Sequence, residues 1–66
     1  MGRLEESIQA YDRSLEVRPV APASLYGRGI ARIRKGDHEA GERDLAAALK
    51  ISPQVAAEFT RMGVSP

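Results

Sequence analysis

The chain has 66 residues, so it forms one small domain at most, and a fold of that size buries only about 60% of the surface its unfolded form exposes. No Cys and a single His exclude a disulfide framework, a thiolate zinc site and an imidazole metal site built by this chain alone. Ten Lys plus Arg against nine Asp plus Glu give a net charge of +1, too balanced for charge-driven capture of nucleic acid, and 42% apolar with 29% charged residues marks a folded domain rather than a disordered tail.

The apolar residues recur with helical spacing from the start. Leu4, Ile8, Tyr11 and Leu15 share one face of a first helix, with Glu5 and Glu6 near its positive end and Arg18 near its negative end. Pro19 forbids continuation, and Pro22 suits the first position of the next helix. A second helix is expected over about Ala23–Lys35, with Leu25, Tyr26, Gly29, Ile30 and Ile33 on its apolar side. Gly36 is placed to end it and Asp37 to cap a third, His38–Ile51, which carries Ala40, Gly41, Leu45, Ala48 and Leu49 on one side. Ser52-Pro53 then reads as N-cap and first position of a short helix over Gln54–Met62, closed by Gly63, with Val64 packing back on Phe59 or Met62. No stretch alternates with a period of two, so the fold class is all-α, about four helices in antiparallel hairpins. No apolar run approaches the roughly 18 residues of a membrane helix, so no membrane contact is expected. The opening Met1-Gly2-Arg3-Leu4-Glu5-Glu6 lacks the apolar stretch of a signal peptide, which leaves the compartment open with the cytoplasm as default.

A fixed offset of 34 relates the two halves: Gly2 to Gly36, Leu15 to Leu49, Val17 to Ile51, Pro19 to Pro53, Leu25 to Phe59, Gly29 to Gly63 and Ile30 to Val64. Three of these pairs are identical Gly or Pro, the residues that set turns and close contacts. A helix–turn–helix unit of this period resembles the tetratricopeptide repeat. Leu25 and Gly29 match the large and small positions of that family's first helix, and Gly36-Asp37 its turn. Gly41, Leu45 and Ala48 match the second helix, and Pro53 the closing proline. On this alignment residues 22–55 form one complete repeat. Residues 1–21 form the second helix of a preceding, truncated repeat, and residues 56–66 a short capping helix. The resemblance implies a right-handed α-solenoid that acts as a non-enzymatic protein–protein interaction module. Arg28 and Arg32 depart from the pattern, standing where the family usually has apolar residues, and His38 stands where it has a large one.

By the same resemblance, Tyr26, Ile30 and Ile33, with Arg34 beside them, occupy positions that line the concave groove and would hold a peptide or helix of a protein partner. The alternative is that the three apolar side chains form the core with Leu25. Gly27 and Ile30 stand where the family's carboxylate clamp needs Asn, so no such clamp is expected. A second functional reading is structural: an end-cap or self-association module in which Leu4, Ile8, Tyr11 and Leu15, left uncovered by a missing helix, pack against a second copy or the rest of a longer array. Arg28, Arg32, Arg34 and Lys35 form a local cationic cluster. It reads either as an anion-binding patch or as a helix face paired with Glu39, Glu42 or Asp44. His38 between Asp37 and Glu39 lacks converging ligands and reads as a surface or packing residue, so neither metal nor other cofactor is expected. Nucleophile motifs and phosphate-cradling loops are absent, and no enzyme activity is expected.

Overall fold

A computed structural model of the chain describes residues 2–63. It contains α1 (Gly2–Val17), α2 (Pro22–Lys35), α3 (His38–Ile51) and α4 (Val55–Arg61), and no strand among the described residues. Pro22 opens α2 in its first turn, where its missing N–H costs nothing and its fixed φ is already helical. Gly36 ends α2 in the left-handed region at φ +105°. There its N–H reaches Ile33 O at 3.0 Å, and the Asp37 N–H reaches Arg32 O at 2.8 Å, the paired bonds of a Schellman cap. Asp37 occupies the N-cap position of α3 but makes no side-chain capping bond. The reversal between α2 and α3 is therefore set by the glycine.

The last helix starts later than the sequence suggests. Val55 N–H donates to Ser52 O at 3.1 Å, so Ser52-Pro53-Gln54-Val55 forms a turn with Pro at its second position. The Ser52 hydroxyl donates to Gln54 Oε1 at 3.2 Å rather than capping a backbone N–H. Gly63 lies at φ +80° after the helix, while the expected contact of Val64 falls outside the described residues.

Helix α2 is the centre of the molecule. It packs most extensively against α3, then α1, and also touches α4, which meets α3 as well; among the described residues α1 packs on α2 alone. The core is Leu15, Leu25, Tyr26, Ile30, Ala48 and Val55, with Ala21, Leu45, Ala47, Ala56 and Phe59 packed against it. Burying each of the larger of these side chains is worth about 1.5–3 kcal/mol. The α2–α3 crossing is close because both helices present glycine there. A Cβ on Gly29 would stand 2.7 Å from Gly41 O, and one on Gly41 would stand 2.6 Å from both Gly29 O and Ile33 Cγ1. Backbone approaches backbone at this point, and any side chain would force the helices apart.

Candidate functional site

On one side of α2, Gly27, Ile30, Ala31 and Arg34 follow one another at helical spacing. Leu4, Ser7 and Tyr11 of α1 and Phe59 of α4 stand around them, and these eight residues line an open concavity of about 140 Å³. The lining is apolar at its floor. Ile30 and Ala31 are buried, Leu4 and Phe59 are half-buried, and hydroxyls or charge come only from Ser7, Tyr11 and Arg34. Gly27 makes room for the Tyr11 ring, whose Cε1 lies 2.7 Å from where a Cβ would be. A site for a drug-sized molecule spans about 300–1,000 Å³. This concavity is smaller, with room for one or two side chains. A second hollow of about 240 Å³ lies beside it, lined by Glu5, Ile8, Gln9 and Lys35, where Lys35 Nζ pairs with Glu5 Oε1 at 3.2 Å.

Of the four residues expected at the groove, Ile30 and Arg34 line it. Tyr26 does not. It is 6% exposed and lies in the core, its ring centroid 4.7 Å from that of Phe59 at a tilt of 46°. Ile33 is half-buried on the α3 side of α2, against Gly41. The stripe Leu4, Ile8, Tyr11 and Leu15, expected to be left open, is turned toward α2. Leu15 is 9% exposed and belongs to the core, and the other three are half-buried. Ser7, Ala10 and Ser14 of α1 are exposed, Ser7 at the rim of the concavity and Ser14 with its hydroxyl bonded to Ser24 of α2. Ser7, Gly27, Ala31 and Phe59 join the groove without a sequence signal, because small residues carry no apolar periodicity and Phe59 reaches the site only through the placement of α4.

The cationic cluster is largely neutralised. Arg28 holds Asp44 with two bonds, Nε to Oδ2 and Nη2 to Oδ1, both 2.9 Å. Its remaining nitrogen Nη1 reaches Asp12 Oδ1 of α1 at 2.7 Å, and Arg32 Nη1 reaches Asp44 Oδ2 at 2.9 Å. One carboxylate on α3 and one on α1 are thus bridged by α2. The Arg28 pKa is pushed up, chiefly by its hydrogen bonds to Asp44, against the opposing effect of burial, with Asp12 adding a smaller push. The guanidinium, charged in any case, is held more firmly in that form by the two carboxylates. Of the carboxylates expected to pair here, Asp44 does so, whereas Glu39 and Glu42 are exposed. His38 is also exposed. Compared with protein-family models, with curated proteins and with solved structures, the chain matches none of them.

Proposed function

We propose that the chain is a non-enzymatic protein–protein interaction module, a section of a tetratricopeptide-like α-solenoid that holds a peptide or helix of another protein in the groove beside α2. The observation that carries this reading is the solvent-open concavity lined by α1, α2 and α4, apolar at its floor and edged by Arg34. An amphipathic segment with one or two large apolar side chains fits such a surface, and an acidic residue beside them would face the guanidinium. Peptides selected from a random library on the immobilised chain should be enriched in that pattern, and the Arg34→Glu variant should lose them while keeping its helical circular dichroism. Selected peptides that bind the variant equally well would refute the groove as the site.

A second reading has its own support. Under the 34-residue offset, Gly41, Asp44 and Ala48 of α3, all buried, correspond to Ser7, Ala10 and Ser14 of α1, all exposed. Apart from the Ser14 bond to Ser24 of α2 and Ser7 at the rim of the concavity, the face of α1 that would correspond to the α2-covered face of α3 is exposed. An end-cap or self-association module would cover it with a helix of a second copy or of a longer array. Sedimentation equilibrium should then show mass rising with concentration, and Ala10→Arg should abolish the rise; a strict monomer at high concentration would exclude association between copies.

A further inference from the structure

Helix α1 and the α2–α3 hairpin are held by different kinds of contact. Among the described residues α1 packs on α2 alone and supplies only Leu15 to the six-residue core. Its remaining apolar side chains, Leu4, Ile8 and Tyr11, are only half-buried against α2, the Tyr11 ring lying over Gly27, and its polar attachments are near the surface. Asp12 pairs with Arg28 at 2.7 Å with its side chain 45% exposed, and Glu5 pairs with Lys35 at 3.2 Å with its side chain 62% exposed. The Ser14 and Ser24 hydroxyls share a hydrogen bond of 2.8 Å, also exposed. The hairpin, by contrast, has the Gly29–Gly41 backbone contact and the buried Asp44 gripped by two arginines. Arg28 uses two nitrogens on the hairpin and one on α1, so releasing α1 leaves its grip on Asp44 intact.

We infer that α1 is a strap that undocks from the α2–α3 hairpin as a separate unit, with Asp12 as its latch on Arg28. Exposed ion pairs are weak and screened by salt, and a segment with few buried apolar contacts opens at lower free energy than the core. The strap also supplies Leu4, Ser7 and Tyr11 to the groove, so undocking removes one wall of it. This consequence rests on the groove reading above: only the docked fraction would bind a partner, and binding would pull α1 home. Undocking itself does not depend on any partner.

The test is native-state amide hydrogen exchange on the whole chain, read at Tyr11–Leu15 to avoid fraying at the helix start. These amides should be less protected than those of Ile30 and Leu45 by roughly an order of magnitude or more. Asp12→Ala should lower α1 protection by a further factor of about two to five and leave the hairpin amides unchanged. The chain has no native Cys, so Ser14→Cys with Ser24→Cys, at the 2.8 Å hydroxyl pair, introduces a single cross-link. Oxidation should bring α1 protection up to the hairpin level, and reduction should return it. Equal protection of α1 and hairpin amides in the wild type would overturn the inference, as would an Asp12→Ala effect spread evenly over all helices. Separate undocking combined with peptide capture indifferent to the cross-link would leave the strap standing and remove its link to the groove.

Discussion

Replacing Asp44 by Ala removes the carboxylate on which the α2–α3 crossing is charge-balanced. The side chain is 8% exposed and accepts three bonds, two from Arg28 and one from Arg32. Removing one member of a fully buried ion pair costs about 3–5 kcal/mol, because the remaining charge is left desolvated. Here the cost is smaller for two reasons. The arginine side chains are 19% and 26% exposed, so water reaches both, and Arg28 keeps Asp12. Alanine also returns roughly 0.6 kcal/mol of helix propensity. The net loss should be about 2–3 kcal/mol, a large part of the roughly 3–10 kcal/mol expected of a chain this short. In thermal unfolding followed by circular dichroism that is a fall in Tm of roughly 10–20 °C. Asp12→Ala is the internal control. Its pair is half in solvent, so its loss should stay below about 1 kcal/mol. Equal, small effects at the two aspartates would refute the argument that burial, rather than the number of ion pairs, decides their weight.

Other outcomes follow from the same geometry. Gly41→Ala gains about 1 kcal/mol of helix propensity but sets a methyl 2.6 Å from Gly29 O, so it should destabilise by about 1–3 kcal/mol overall, visible as a lower urea midpoint. Gly36→Ala meets no atom within 4 Å yet must hold φ +105°, and should lose about 1 kcal/mol through backbone strain alone. The double change Arg28→Met with Asp44→Leu should cost less than Asp44→Ala alone, because the buried carboxylate and its main partner go together and the two groups that lose a partner, Arg32 and Asp12, are reached by water. Ile30→Glu should unfold the chain rather than test the groove, since the side chain is 4% exposed.

Helix number and most boundaries were legible because Pro22, Gly36 and Gly63 act locally, through φ and a missing N–H, whatever surrounds them. The groove was only half legible. Spacing shows that a helix has an apolar side, but not which neighbour covers it. Helix α2 is packed by three others, so Tyr26 goes to the core and Ile33 to the α3 side, and the part of α2 that lines the concavity is Gly27, Ile30, Ala31 and Arg34 instead of the expected stripe. The stripe on α1 is apolar, as its spacing indicates, but it meets α2, and the exposed residues beside it, Ser7, Ala10 and Ser14, have no hydrophobic signature. Asp44 was among three carboxylates within reach of the arginines; the Gly29–Gly41 crossing sets the rotation that selects it over Glu39 and Glu42. The Asp12–Arg28 bond joins residues sixteen apart on different helices, and no local pattern announces it.

The central claim is that a partner segment is held beside α2. Amide chemical-shift mapping with a peptide selected on the chain tests it most directly. Shifts should cluster at Ser7, Tyr11, Gly27, Ala31 and Arg34, with Glu42 and Leu49 on the far side of α3 unmoved. Shifts centred on Glu42 and Leu49, with the α1–α2 concavity silent, would contradict it.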